Sequence, residues 1–157
     1  ARDKDACVAV MMLCEVAAYY KLQGKTLWDA MLTMYAKYGY YKEGLATLTL
    51  KGIDGAKQIQ EKMSEARSNP PKMLGGLKVL AVRDYKQDSR TDLISGEKTP
   101  TGLPESNVLY YELENNAWCC VRPSGTEPKI KYYFGVKGDS LEDAAMKLEA
   151  LKQDMLK

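Results

Sequence analysis

The chain has 157 residues, 45% of them hydrophobic and 28% charged, which is typical of a globular protein and excludes a wholly disordered one. Its 23 basic and 21 acidic side chains leave a net charge of +2, so neither nucleic acid nor an anionic membrane is an expected partner, and any anion site must be local. No apolar run approaches the roughly 20 residues that cross a bilayer, and the absence of histidine excludes chemistry based on an imidazole.

Two helices are predicted at the start of the chain. Over residues 5–23 apolar side chains recur at steps of three and four, which predicts an amphipathic helix that ends before Gly24. A second helix is predicted from a cap at Thr26 to Gly39, with Asp29 as the acidic member of a capping box. Two neighbouring helices without strands cannot easily bury both of their faces, so we expect this segment to pack against something else.

The rest of the chain alternates between strand and helix patterns. Residues 40–44 are predicted to form a hinge, because helical periodicity is lost there between two glycines. The elements expected next are a strand over 45–50, a helix over 54–67, a strand over 77–84, a polar loop over 85–106, strands over 108–114, 117–122 and 129–137, and a helix over 140–157. This order predicts an α+β fold with helices on one face of a mostly antiparallel sheet.

Three local features add to this interpretation. A loop as long as 85–106 is typical either of a functional segment or of a merely mobile one. Asn115 and Asn116 are expected to form a tight turn, because asparagine tolerates a positive φ. The cysteine spacing suits neither a disulfide framework nor tetrahedral zinc, so we expect reduced, buried thiols in a cytoplasmic protein; the cysteines are Cys7, Cys14, Cys119 and Cys120.

The segment most indicative of chemistry is 122–129, Arg-Pro-Ser-Gly-Thr-Glu-Pro-Lys, between the last two predicted strands. Its two prolines fix φ at both ends, so little entropy is lost when a ligand binds. Gly125 permits a close approach to the backbone, and the N–H groups and hydroxyls over 124–126 can converge on an anion. Arg122 offers a planar fork for two phosphate oxygens, and Lys129 offers a point charge. From these residues alone, a phosphate site and an ordinary turn both remain open.

Strand alternation leaves a further question open. Lys129, Lys131 and Tyr133 fall on one face of the last strand. The two lysines reinforce Arg122 only if their face is the open side of the loop, and Glu127 partly cancels them.

The run over 122–133, ending in Ile-Lys-Tyr-Tyr, closely resembles the phosphate-binding loop and following strand in the C-terminal domain of α-D-phosphohexomutases. Residues 2–5 and the apolar helix after them resemble the end of the third domain in these enzymes. Residues 38–41 and the strand over 47–50 resemble the bacterial phosphoglucomutase and phosphopentomutase branch. The resemblance implies a helical tail of the third domain over 1–39, the hinge at 40–44 and a C-terminal phosphate-binding domain over 45–157.

Enzymes of this family have four domains. They interconvert a sugar 1-phosphate and 6-phosphate, or 5-phosphate, through an enzyme phosphoserine and a bisphosphate intermediate. The serine, magnesium and sugar loops that carry this chemistry do not occur in the chain. The resemblance therefore implies that Mg²⁺ is bound outside it, that it holds no metal ligand, and that it is inactive alone.

The resemblance also assigns roles to individual residues. The residues that would hold the phosphate that is not transferred are Arg122, Ser124, Gly125, Thr126 and Lys129. Lys4 resembles a catalytic lysine near the family's active site, where an ammonium stabilises transferring charge or assists proton movement. Arg2 carries no firm assignment. The implied partners are a sugar phosphate, or a phosphate or sulfate anion, and the N-terminal domains of the same chain.

Two other classes of function remain as alternatives. The run 131–134 places aromatic rings and positive charge on a sheet, as in a small α+β nucleic-acid-binding module. The sequence lacks the glycine-aromatic pattern of the common RNA-binding sheet, and its overall charge is nearly balanced. A pure interaction domain is the second alternative, and it predicts no anion site.

Overall fold

The structure is a computed structural model that describes residues 4–50, 54–125 and 127–156. It divides into two compact units, residues 1–40 and 41–157, and each is described by itself. The division of the chain into a third-domain tail, a hinge and a phosphate-binding domain stays a prediction.

The first unit consists of two helices, α1 (Ala6–Leu22) and α2 (Leu27–Tyr38). The chain leaves α1 through Gly24, whose φ of +69° suits a residue without a Cβ. At the start of α2 the amide of Asp29 donates to the Thr26 hydroxyl over 3.1 Å, and the amide of Thr26 donates to the Asp29 carboxylate over 2.8 Å. Both predicted helices and the predicted capping box are confirmed.

The prediction that α1 is amphipathic is wrong. Large apolar side chains are exposed in almost every direction around the helix, and Cys7 and Cys14 are exposed as well, against the expectation of buried thiols. The exposed apolar residues of α1 are Val8, Val10, Met11, Met12, Leu13, Val16, Tyr19 and Leu22. Apolar residues recur at steps of three and four along α1 only because they occupy most positions of the helix, and not because they form one apolar face. A helix that is apolar on all sides is typical of the interior of a larger protein.

In the described part of the chain no single helix is long and apolar enough to cross a membrane. Only α1 and α2 taken together reach that length and composition, and the chain bends by 88° between them.

The second unit is built on an open sheet of eight strands. The strands are β1 (Tyr40–Thr49), β2 (Met73–Leu74), β3 (Leu77–Asp84), β4 (Ser89–Asp92), β5 (Lys98–Thr99), β6 (Leu109–Leu113), β7 (Trp118–Pro123) and β8 (Lys129–Gly138). Their order across the sheet is β1-β8-β7-β6-β3-β4-β5, and β2 pairs with β3. The pairs from β2–β3 to β7–β8 are antiparallel.

Helices α3 (Gly55–Ser68) and α4 (Leu141–Met155) lie on the same face of this sheet, where residues of both helices line one cavity together with Val121, Ile130 and Tyr132. Alternate residues of the strands are buried beneath them, which is the pattern of a sheet with one covered face. The largest fully buried side chains are Tyr111, Phe134, Met63, Leu109, Ile130, Leu151, Val79 and Cys119. The predicted α+β class is confirmed.

Two segments have more regular structure than the sequence predicted. Residues 40–44 form the first half of β1. The loss of helical periodicity therefore marks the start of a strand. A hinge motion at these residues stays a prediction. The segment 85–106 contains the hairpin β4–β5 and is not a plain loop. Its end is held by Asp88, whose carboxylate accepts from the amides of Thr101 and Gly102, each over 3.0 Å.

The predicted asparagine turn is confirmed. Asn115 and Asn116 each have a φ of +58° and connect β6 to β7. Because this turn sets the register of the hairpin, it also decides which side chains face each other at the opposite end of β7.

Candidate functional site

The candidate site is the loop 124–128 that joins β7 to β8. The amide of Ser124 donates to the carbonyl of Lys129 over 2.8 Å, and the amide of Lys129 donates to the carbonyl of Glu127 over 2.7 Å. The first of these hydrogen bonds closes the base of the loop, and the second holds its last turn against β8.

The register of the two strands places two cations side by side. Arg122 lies directly opposite Lys131, and Pro123 lies opposite Ile130. Directly opposed residues of an antiparallel pair share a face of the sheet. Since Val121 and Ile130 are buried beneath the helices while Arg122 and Lys131 are exposed, the cations lie on the face away from the helices.

The charge of this pair is not neutralised within the described residues, because neither Arg122 nor Lys131 forms an ion pair with a carboxylate there. Lys129 differs, since its ammonium lies 3.0 Å and 3.1 Å from the two carboxylate oxygens of Glu127. Lys129, one of the predicted phosphate-binding residues, is therefore largely compensated. Lys131 is not among the residues predicted to bind phosphate, although strand alternation places it on the same face as Lys129 and could have indicated it.

Gly125 lies in the exposed part of the loop. A Cβ added to Gly125 would have no atom within 4 Å, and Gly125 does not have a positive φ. The turn itself therefore does not require glycine, but the open space beside it leaves the backbone accessible to a ligand. Ser124 is half-buried. Thr126, the remaining predicted member of the loop, lies outside the described residues.

The strand neighbours of the cation pair add no negative charge. Cys120 precedes Arg122 by two residues in β7 and lies opposite Tyr133 on the same face. Burial raises the pKa of the Cys120 thiol, and the positive charge of Arg122 only partly opposes this effect. The thiol is therefore neutral at neutral pH and does not repel an anion.

The other candidate residues belong to the first unit. Lys4 is exposed and lies just before Asp5, which caps α1 by accepting from the amide of Val8 over 3.0 Å. Its catalytic role stays a prediction, and Arg2 lies outside the described residues. Among the described residues no three acidic, cysteine or histidine side chains converge in a way that could hold a metal ion.

The arrangement is suited to holding a small oxyanion. A guanidinium fork, a neighbouring ammonium and the accessible backbone at Gly125 are all donors, and a tetrahedral phosphate offers several acceptor oxygens. Groups of this kind can bind and orient charge, whereas a guanidinium is not deprotonated in proteins and so is not a proton-transferring group.

Residues 65–152 match the family described as phosphoglucomutase/phosphomannomutase, C-terminal domain. This match covers more than half of the chain and includes β3 to β8 and the loop. Phosphoglucomutases of Staphylococcus aureus strains bovine RF122 / ET3-1 and MRSA252 are each 39% identical to the chain over 150 residues, which is 96% of this chain and 27% of each relative. A phosphoglucomutase of strain N315 is 38% identical over the same length. The chain thus spans about a quarter of the length of these relatives, and it belongs to the phosphoglucomutase/phosphomannomutase family through a match to its C-terminal domain.

Proposed function

We propose that this chain is the phosphate-binding portion of a phosphoglucomutase/phosphomannomutase. The whole enzyme would be an isomerase that interconverts a sugar 1-phosphate and 6-phosphate, or 5-phosphate, through an enzyme phosphoserine and a bisphosphate intermediate. In this proposal the chain binds the phosphate that is not being transferred, and by itself it is inactive.

The observation that carries the proposal is the pair Arg122 and Lys131 beside the loop 124–128, for which no carboxylate partner is found among the described residues. Two adjacent cations repel each other, so their pairing across two strands is unfavourable unless an anion is bound between them. A dianionic phosphate offers the charge and the oxygens for this role. Gly125 and Thr126 would supply further donors from the loop, and Ser124 would contribute its hydroxyl, because its amide already donates to the carbonyl of Lys129.

A distal phosphate site contributes to the rate of a reaction at the other end of the sugar. The binding energy of the phosphate fixes the orientation of the substrate, and the reacting hydroxyl is then positioned without further loss of entropy. In this proposal Lys4 acts near the transferring group, where an ammonium would stabilise developing negative charge. Mg²⁺ would be held by other parts of the whole protein.

The exposed apolar surface of α1 supports the proposal that further domains of the same protein are partners of this chain. Side chains such as Met11 and Leu22 are 68% and 89% exposed, and such surface is costly in water. The length of the relatives is consistent with additional domains that would cover it. A cytoplasmic location fits a sugar phosphate substrate and is likewise part of the proposal.

Titration of the chain with inorganic phosphate and with glucose 1-phosphate tests the site directly. We expect backbone amide shifts confined to residues 122–131, and we expect Arg122→Ala to weaken binding roughly 10- to 100-fold, the range for losing hydrogen bonds to a charged group. Lys78→Ala is the matched control, because Lys78 is an exposed lysine of β3 outside the loop. Equal affinity of wild type and Arg122→Ala would overturn the proposal, and RNA binding without any response to phosphate would favour the nucleic-acid alternative.

In the whole enzyme, Arg122→Ala should lower kcat/KM for the sugar phosphate by a similar factor. The loss should be smaller for a substrate without the distal phosphate, because such a substrate makes no contact with Arg122 even in the wild-type enzyme. The same loss for both substrates would contradict the assignment of Arg122 to that phosphate.

A further inference from the structure

The end of the loop 124–128 is held by the connection between β1 and α3. Leu50 is the first residue after β1, and its amide donates to the carbonyl of Pro128 over 3.0 Å. Pro128 is the last residue of the loop before β8. Because proline has no N–H group, its carbonyl is the only main-chain group through which it forms a hydrogen bond. The bond from Leu50 therefore anchors the loop at a residue that has no other main-chain group to use.

Gly55, the first residue of α3, packs against the two residues that form this hydrogen bond. A Cβ at Gly55 would lie 2.6 Å from the carbonyl oxygen of Leu50 and 3.1 Å from the Cβ of Pro128. Gly55 is buried, whereas its neighbours Asp54 and Ala56 are exposed. Its φ is not positive, so glycine is required here by the available space and not by the backbone conformation. Any side chain at this position would displace Leu50 or Pro128.

The start of the loop has a separate anchor within the hairpin. The amide of Ser124 donates to the carbonyl of Lys129 over 2.8 Å, and this bond involves neither Leu50 nor Gly55. Gly125, whose backbone has open space beside it, lies between the two anchors. A loop that is fixed at both ends loses less conformational entropy on binding an anion than a loop that is fixed at one end. Loss of the second anchor should therefore weaken binding even though no group that contacts the anion is removed.

We propose that Gly55 is a positioning residue of the phosphate loop. By leaving room for the hydrogen bond between Leu50 and Pro128, it holds the loop in its anion-binding conformation before the anion arrives. This inference rests on the proposed function, because it assigns a role within the same phosphate site.

Gly55→Ala tests this role, with Gly138→Ala as the matched control. A Cβ at Gly138 would lie 2.5 Å from the backbone nitrogen of Ala144, so both substitutions push a backbone aside at a glycine without a positive φ. Gly138 is the last residue of β8, at the opposite end of that strand from the loop. In calorimetric titration with inorganic phosphate, at a temperature where both variants are folded, Gly55→Ala should bind about three- to tenfold more weakly than wild type. Gly138→Ala should bind like wild type, and equal affinities of the two variants would overturn the inference.

Two substitutions of Leu50 test the same anchor where Gly55→Ala fails to fold. Leu50→Pro removes the amide that donates to Pro128, whereas Leu50→Ala shortens the side chain and keeps that amide. Leu50→Pro should weaken phosphate binding about three- to tenfold, and Leu50→Ala should change it less than about twofold. The double variant of Leu50→Pro with Gly55→Ala should bind no more weakly than the weaker single variant, because both changes remove one anchor. Wild-type affinity in Leu50→Pro, or additive losses in the double variant, would contradict the role of the anchor.

Hydrogen exchange measures the anchor without any substitution. Because the anion and the anchor favour the same conformation of the loop, saturating phosphate should slow exchange of the Leu50 amide by about the same factor of three to ten. The amide of Ala144, which donates to the carbonyl of Ser140 over 3.0 Å, is the internal control and should not respond. A Leu50 amide that exchanges at the same rate with and without bound phosphate would refute the coupling.

Arg122→Ala separates failure of this inference from failure of the proposed function. Unchanged phosphate binding in Arg122→Ala would overturn the proposed site and the role of Gly55 together. Loss of binding in Arg122→Ala, with wild-type affinity in both Gly55→Ala and Leu50→Pro, would leave the phosphate site in place and refute the positioning role alone.

Discussion

Arg122 and Lys131 lie directly opposite each other on β7 and β8, so their side chains share the face of the sheet that the helices leave open. Lys129 shares that face but is held by Glu127, with its ammonium 3.0 Å from a carboxylate oxygen. Of the three cations near the loop, Lys129 is therefore largely neutralised by Glu127, whereas the positive charges of Arg122 and Lys131 are available to a ligand.

This difference predicts unequal effects of removing the two lysines. Lys131→Ala should weaken the binding of inorganic phosphate about three- to tenfold, whereas Lys129→Ala should change it less than about twofold, because Glu127 already neutralises Lys129. Calorimetric titration at low ionic strength measures both, since screening by salt reduces such differences. A larger loss for Lys129→Ala than for Lys131→Ala would contradict the geometry.

Glu127→Gln tests the same relationship from the other side. Removal of the carboxylate frees the Lys129 ammonium to interact with the anion, so phosphate should bind about two- to threefold more tightly. The gain should disappear in the double variant with Lys129→Ala. A gain that persists there would show that Glu127 acts on the anion directly.

The elements with strong periodicity were predicted well from the sequence. The run over 77–84 coincides with β3, and the predicted strands over 117–122 and 129–137 differ from β7 and β8 by one residue at their ends. These strands lie near the middle of the sheet, where burial of alternate side chains imposes a regular pattern. The loop 124–128 was located correctly for the same reason, because both of its flanking strands were clear.

Edge elements were predicted less well. The strand β4 consists of four half-buried residues, Ser-Arg-Thr-Asp, and β5 of two exposed ones, so neither has the apolar alternation that indicates a strand. The start of β1 was hidden by its flanking glycines. Alternation did place Lys131 beside Lys129, but only the register with β7 shows that Arg122 shares their face. Register depends on tertiary pairing and is not readable from one strand.

Arg67 and Asp84 form the most buried ion pair among the described residues. The guanidinium nitrogen lies 3.1 Å from the carboxylate, and the two side chains are 13% and 10% exposed. Arg67 also donates to the side-chain oxygen of Asn107. We expect Asp84→Ala to lower the free energy of unfolding by about 3 kcal/mol, because a buried charge loses its partner.

Chemical denaturation measures this loss, and Lys57→Ala is the control. Lys57 pairs with Glu61 on the surface of α3, where the side chains are 79% and 63% exposed, so its removal should cost less than about 0.5 kcal/mol. Arg67→Leu combined with Asp84→Leu should recover part of the stability, because no unpaired charge remains. A cost for Asp84→Ala as small as that for Lys57→Ala would show that the pair is not effectively buried.

Gly135 is required by the packing of Trp118. The two residues lie opposite each other on β8 and β7, and a Cβ on Gly135 would overlap the indole ring. The ring is also stacked on Tyr110, with the centroids 5.6 Å apart, so it cannot move without losing that contact. Gly135→Ala should therefore destabilise the fold by about 1–3 kcal/mol.

Gly125→Ala is the matched control for this substitution. A Cβ there meets no atom within 4 Å, so stability should change by less than about 0.5 kcal/mol while phosphate binding weakens. Trp118→Leu in the Gly135→Ala background should restore part of the lost stability, since the smaller side chain leaves room for the new methyl group. If thermal unfolding shows Gly135→Ala and Gly125→Ala to be equally stable, the close contact with Trp118 is not present in solution.

Glu112 lies between Arg83 and Arg90 on the open face of the sheet. Its ionisation should therefore make the stability of the fold depend on pH. The pKa of Glu112 lies below its ordinary value, mainly because Arg90 donates a hydrogen bond to the carboxylate. Burial raises this pKa and so reduces the shift, whereas a hydrogen bond from Arg83 lowers the pKa further. Because the folded protein binds this proton less readily than the unfolded chain, the stabilisation is present above the unfolded pKa of about 4.3. It should be lost as the pH falls through the lower pKa of the folded state.

Glu112→Gln should therefore lower the free energy of unfolding by about 1 kcal/mol at pH 7, a modest value because the arginines are partly exposed to solvent. The difference between wild type and variant should shrink as the pH decreases below about 4, because wild-type Glu112 then becomes protonated and resembles glutamine. Denaturation at several pH values measures this difference, with Glu105→Gln as the control, since Glu105 is exposed and pairs with no described cation. A difference that stays constant from pH 7 to pH 3 would mean that the two arginines stabilise Glu112 through packing and not through its charge.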